Sequence, residues 1–253
     1  SPKEQELTIV KNVPSTSLVV TGNVEGGVEL WDVDGGEFEE TIGLCEGQIS
    51  ALAVSEFGKH IAAGTLSGNV YVWSTNTRQL LMEAKLGESN IVAMELGEEE
   101  EALFVVLGGE LVIGIDVATQ RELWRCRGYA DIVAMAFNKV TNVIIVATAS
   151  NSIHIIDPKD GIELQVGNAS GDALRDLALF PDGKRFATVL ADGTLSIWDA
   201  NDLYLIASFP ASRSADCISI SSDGHIISVA GGASTIKLMD GMSRSARQKN
   251  TKE

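Results

Sequence analysis

"GTLSGNVYVWSTN", residues 64–76, sets a Gly-centred polar turn before a short aromatic and β-branched run that stops at polar residues. The same order returns in "EGGVELWDVDGG" (25–36) and "ADGTLSIWDAND" (191–202). A return at long period marks a repeat architecture, and it constrains the fold before any single strand is considered. The anchors that close these runs are Trp31, Trp73 and Trp198, and Ile115, Ile156 and Met239 occupy the same place elsewhere. Successive anchors lie 42, 42, 41, 42 and 41 residues apart. An Asp follows the anchor at Asp32, Asp116, Asp157, Asp199 and Asp240, with Ser74 the exception. Three residues earlier the side chain is always aliphatic, from Val28 through Val70, Val112, Ile153 and Leu195 to Ile236. Two residues earlier it wanders through Glu29, Tyr71, Ile113, His154, Ser196 and Lys237. A fixed apolar parity with a free position between is the period of a β-strand.

Each unit holds more than this one strand. In "ISALAVSEFGKHIAAGTLSGNVYVW" (49–73) two short apolar runs precede the anchor strand, and "RQLLMEA" (78–84) follows it. "IVAM" recurs unchanged at 91–94 and 132–135, a trace of duplication. Four strands in about 42 residues make one blade of a β-propeller. The units fall near 7–42, 49–84, 91–126, 132–166, 174–209 and 216–241, so one propeller domain is expected over 1–241, with a basic polar tail at 242–253.

These residues resemble the WD-repeat β-propeller family over essentially the whole chain. The resemblance rests on "ELWD", "SIWD", the degenerate "IIDP" and "LMDG", the 41–42-residue period, and Asp192-Gly193 before "TLSIW". The best single copy is "FPDGKRFATVLADGTLSIWDA" (180–200). The family's Gly-His pair between blades is missing, and its Asp before strand three survives plainly only at Asp192. The family's Asp-His-Ser-Trp network is therefore not expected intact in any unit. The expectation is an all-β propeller of six four-stranded blades, the sixth short of a strand or completed by a poor one. The stretch after Asp240, "GMSRSARQKNTKE", has almost no apolar residue, so a regular strand at Arg244 to Asn250 is not expected. Two closures stay open: a six-bladed ring with a weak seam, or a longer protein whose further strands complete a seventh blade. The second is preferred, because the resemblance implies seven-bladed rings and an open edge invites strand pairing.

Charge and composition limit the function. The formal net charge is −16, from 19 basic and 35 acidic residues. Without the tail's Arg244, Arg247, Lys249, Lys252 and Glu253 the body carries −19. Such a body repels phosphate backbones and steers basic partners inward. Direct nucleic-acid binding through the propeller is thus not expected. "SPKEQELTIV" lacks the features of a signal peptide, and "FVVLGGELVIGIDV" is too short and too interrupted to span a bilayer. A cytoplasmic protein is expected, with a nuclear one as the alternative. Cys45, Cys126 and Cys217 show no close pair, which points to free, buried or half-buried thiols rather than a zinc site or disulfides.

No motif for acyl transfer, zinc hydrolysis or phosphate cradling is present, and no catalytic, cofactor or metal residue is assigned. His154 falls in the variable slot of strand three and reads as packing; His60 and His225 fall at turns. Two interaction sites stand out. Glu98, Glu99, Glu100 and Glu101 form an acidic run that is either a solvated turn or a docking patch for a basic segment. Arg127, Tyr129, Arg175 and Arg213 rise from loops between blades on a face otherwise small and weakly charged. They either grip an acidic or phosphorylated peptide or pair with Asp131, Asp172 and Asp216. The functional expectation is a non-catalytic scaffold within a multiprotein complex. The alternatives are a component of a nuclear RNA-containing particle held by protein contacts, and a propeller enzyme with an unrecognised site. Trp31, Trp73 and Trp198 are expected to be buried between blades, and Trp124, in strand four, to be more exposed.

Overall fold

The computed structural model describes residues 6–97, 102–232 and 235–241. It contains six antiparallel sheets, each built from consecutive strands. The first holds β1 (Leu7–Asn12), β2 (Leu18–Asn23), β3 (Gly27–Asp32) and β4 (Glu37–Leu44). The second holds β5 (Ile49–Val54), β6 (His60–Thr65), β7 (Asn69–Ser74) and β8 (Leu80–Lys85). The third runs through β9 (Ile91–Leu96), β10 (Ala102–Leu107), β11 (Leu111–Asp116) and β12 (Arg121–Arg127). The fourth comprises β13 (Ile132–Asn138), β14 (Val143–Thr148), β15 (Ser152–Ile156) and β16 (Glu163–Asn168). The fifth comprises β17 (Leu174–Leu179), β18 (Arg185–Leu190), β19 (Thr194–Asp199) and β20 (Leu205–Pro210). The sixth has three strands among the described residues, β21 (Cys217–Ile220), β22 (Ile226–Gly231) and β23 (Thr235–Asp240). Arg244 to Asn250 lie outside the described residues.

The repeat is written into the backbone as well as the side chains. Each turn between strands three and four carries one left-handed residue at the same place: Gly36, Arg78, Gln120, Gly161 and Leu203. Turns between strands two and three do the same at Gly26, Gly68, Asn151 and Gly193, while the third sheet uses two left-handed glycines there, Gly108 and Gly109. At Gly193, with φ +81°, an added Cβ would sit 2.4 Å from the Ser212 carbonyl oxygen, so the turn needs a residue without one. Blade 4 uses Asn151 instead, the residue type that best tolerates this region.

The first strands lie side by side around a central channel of about 450 Å³, lined by Ile9, Ala51, Ala93, Ala134 and Ala178 among others. Successive sheets pack face to face. Val70 and Val72 of one sheet meet Leu103, Val105 and Ile113 of the next. Equivalent buried clusters join the first sheet to the second, the third to the fourth, the fourth to the fifth and the fifth to the sixth. Among the described residues none joins the sixth sheet to the first. Ile236 and Leu238 are accordingly 72% and 66% exposed, whereas Val70 and Val72, their counterparts in the second sheet, are fully buried. Val10, on the facing side of the first sheet, is 59% exposed. Among the described residues the six blades therefore form an arc with one seam left unpacked.

Trp73 and Trp198 are buried between blades. Trp198 stacks on Phe186, and its indole N–H donates to Thr188 Oγ1 at 2.9 Å. Trp31 makes the matching bond to Thr21 Oγ1 at 3.0 Å but is only half-buried, because its face looks onto the unpacked seam. Trp124 overturns expectation: it is buried. Gly114 leaves a hole on the face toward the fourth sheet, where a Cβ would come within 2.5 Å of the indole. Trp124 fills that hole from strand four, stacks on Phe104, and donates to the Pro158 carbonyl at 2.8 Å.

Candidate functional site

The loops that lead from one blade to the next share a face with the turns between strands two and three. Backbone bonds of 2.8–2.9 Å tie the two together in every complete blade: Cys45 to Gly26, Leu86 to Gly68, Ile132 to Gly109, Ala169 to Asn151 and Ala211 to Gly193, N–H to carbonyl in each case. The face is therefore a rigid platform, although it is made of loops. Asn151 braces it further, its Oδ1 accepting from the Leu174 N–H at 2.7 Å and its Nδ2 donating to the Gly171 carbonyl at 3.2 Å.

Arg127, Arg175 and Arg213 all lie exposed on this face: Arg127 ends β12, Arg175 is the second residue of β17, and Arg213 lies between β20 and β21. Among the described residues none of them forms an ion pair, so Asp131, Asp172 and Asp216 do not neutralise them. Asp172 instead accepts the Ala173 N–H through Oδ1 at 2.8 Å. Arg175 occupies a β-bulge: Leu174 pairs with Leu190 and Asp176 with Val189, leaving Arg175 out of register. Tyr129 belongs to the same loop region but is half-buried, its ring edge-on to His154 at 4.9 Å. Burial, with Cys126 and Glu163 nearby, pushes its hydroxyl up to about 12. Glu98 to Glu101 lie outside the described residues.

The histidine is more than packing. His154 Nδ1 lies 2.6 Å from Glu163 Oε2 and its Nε2 lies 2.8 Å from Ser152 Oγ, which in turn sits 2.6 Å from Thr148 Oγ1. Carboxylate, imidazole and hydroxyl stand in a line, but Thr148 holds the Ser152 hydroxyl inside the sheet and Tyr129 covers the ring. The line braces β14, β15 and β16 beneath the loop that carries Arg127 and Tyr129. The sequence offered one signal for it: Ser152 and His154, two apart on a strand, share a face. Cys45 is buried, and burial with Glu83 nearby pushes its thiol up to about 12. Cys126 is half-buried, while Cys217 is exposed.

Two family models match this chain: one described as outer membrane protein assembly factor BamB, over residues 15–178, and one described as WD domain, G-beta repeat, over 162–199. Pre-mRNA-processing factor 19 of Dictyostelium discoideum is 27% identical over 217 residues, covering 81% of this chain and 41% of that protein. The WD repeat-containing protein slp1 of Schizosaccharomyces pombe is 30% identical over 145 residues, 56% of this chain and 29% of its own. The chain thus spans less than half the length of these relatives. A chain of the Mitotic Checkpoint Complex superposes with a TM-score of 0.85 at 17% identity, over 96% of this chain and 77% of that one. The Cps50 (Swd1) β-propeller domain of Myceliophteria thermophila gives 0.83 at 14% identity, over 95% and 84%. The longer family match runs from just after β1 into β17, and the WD match covers Asp192-Gly193 and Trp198-Asp199, where the signature is fullest. With six sheets in one register, Trp-Asp at the anchors of the first and fifth and WD-repeat relatives, the chain belongs to the WD-repeat β-propeller family.

Proposed function

We propose that this chain is a non-catalytic scaffold that holds other proteins together within a multiprotein complex. One observation carries the reading: within each unit the inward-facing apolar strand positions are set by the blade, while loop positions on one rigid face are not. Glu46, Glu88, Ala130, Gly171 and Arg213 fill one such position in successive units. A rigid body with freely varied loops on one face suits partner binding. A structural neighbour that is itself a chain of the Mitotic Checkpoint Complex supports this. No helix among the described residues is long and apolar enough to cross a membrane. The cytoplasm and the nucleus both suit such a scaffold. Affinity purification of the tagged protein from cell extract should recover protein partners in stoichiometric amounts; recovery of the bait alone would count against the scaffold.

A second reading places the protein in a nuclear RNA-containing particle, joined mainly through protein contacts. It is favoured by the relative that covers 81% of this chain, a pre-mRNA-processing factor. Ultraviolet crosslinking to RNA separates the two readings. Crosslinks confined to the basic residues after Gly241 would support the particle, and crosslinks nowhere would dismiss it.

A further inference from the structure

Internal repeats allow a comparison that a single sequence otherwise lacks. A residue that the blade requires should recur at the equivalent position of other units, and one that it does not require is free to serve another end. The three loop arginines are of the second kind. The end of strand four carries Leu44, Lys85, Arg127, Asn168 and Pro210 in turn, each paired to the start of strand three. The bulged position in strand one carries Thr8, Ser50, Val92, Val133 and Arg175. Thr8 and Ser50 use that place to bond the carbonyls of Gly22 and of Gly64 and Ile91, a structural task that Arg175 leaves undone. Arg213 follows Glu46, Glu88, Ala130 and Gly171.

Three guanidinium groups thus stand at the end of the third blade, at the start of the fifth and between the fifth and sixth, on a protein with a net charge of −16, exposed and without ion pairs among the described residues. Carboxylates lie on the same loops, at Asp131, Asp172, Asp192 and Asp216, yet two of them are committed to backbone N–H groups of the turns, from Ala173 and Thr194. An unpaired guanidinium presents a planar fork that fits carboxylate and phosphate oxygens two at a time. The other half of the face, over the first three blades, carries Glu25, Glu46, Glu88 and Glu110 and would turn such anions away.

We infer that the loop face from the end of the third blade to the sixth takes an anionic segment of a partner protein, carboxylate-rich or phosphorylated, gripped by Arg127, Arg175 and Arg213. This rests on the scaffold reading and narrows it to a partner chemistry and a place. The four aspartates on the same loops restrict the site to segments whose anions are spaced to meet the arginines, since a uniformly acidic chain would also meet those carboxylates.

The test is fluorescence polarisation with the purified chain and three labelled peptides of equal length: one rich in Asp and Glu, one singly phosphorylated, one neutral. Saturable binding of an anionic peptide is expected. It should weaken with added salt, and by about tenfold or more in the triple variant R127Q/R175Q/R213Q. The variant should melt at the wild-type temperature, because all three side chains are exposed. Preference between the two anionic peptides assigns the anion as carboxylate or phosphate. Failure of both to bind, or binding that the triple variant leaves intact, overturns the inference. Either failure leaves recovery of stoichiometric partners from extract as a separate test of the scaffold.

Discussion

Leu203, Gln120 and Arg78 adopt backbone angles that suit glycine, with φ of +56°, +57° and +60°. Leu203 is held there by its buried side chain, and Arg78 by its pairing with Glu40 at 2.6 Å. Gln120 has weaker cause, an exposed side chain donating to the Leu81 carbonyl at 3.0 Å. Gln120→Gly should therefore raise stability by about 1 kcal/mol, relief of left-handed strain outweighing the added chain entropy; an unchanged or lowered melting temperature would contradict this. The tryptophans differ by surroundings in the same way. Trp198→Ala should cost about 3–5 kcal/mol, and Trp31→Ala clearly less, because one face of Trp31 looks onto the seam. Equal losses in chemical denaturation would mean that the seam is packed. Most of this was legible in the Trp and Gly spacing. Trp124 was not: its burial depends on a hole at Gly114 across the sheet, and no local pattern in "RELWRCR" records that.

Elements differ in how well their edges are guarded. Among the fourth strands, β4 carries Glu37, Glu39 and Glu40, β8 carries Glu83 and Lys85, and β12 carries Arg121, Glu122, Arg125 and Arg127. β20, "LIASFP", carries no charge, and Leu205 and Ile206 are 41% and 48% exposed. Charged edges resist unwanted strand pairing, so the outer rim is better protected toward the start of the arc than toward its end. The sixth sheet is the extreme case, with β23 bare at its edge among the described residues and one face unpacked. Amide hydrogen exchange should run markedly faster in β21, β22 and β23 than in β9, β10 and β11, which are clamped between two neighbours. Comparable protection would show that something covers the seam. The exposure of Ile236 and Leu238 was not readable from the sequence, since their apolar identity matches that of buried counterparts.

Across the whole molecule, acidic charge reaches even the channel. Glu95 and Asp176 line it, and burial pushes both carboxyls above their ordinary range, with Lys11 opposing the shift. The Asp176 oxygens accept the Ile218 and Leu177 N–H groups, while Glu95 gains only the field of Lys11. A raised carboxyl binds its proton more tightly in the folded chain than in the unfolded one. Its contribution to stability therefore falls as pH rises from the ordinary carboxylate value through the raised one. Glu95→Gln should melt higher than wild type at neutral pH, and the gap should close as the pH drops into the carboxylate range. A constant gap would remove burial of the charge as its cause. The repeats made the channel and its first strands foreseeable, but which first-strand side chains enter it depends on bulges that sequence pattern does not reveal.

Whether partners dock on the loop face is tested most directly by site-specific photo-crosslinking. A benzophenone residue is placed in the protein at Ala130, exposed between Tyr129 and Asp131 on the loop face, or at Asn142, exposed in the turn on the opposite face. After irradiation in cells, Ala130 should yield a discrete crosslinked partner that R127Q/R175Q/R213Q abolishes, and Asn142 should not yield that partner. Capture of the same partner from Asn142 with none from Ala130 would place binding on the wrong face and contradict the account.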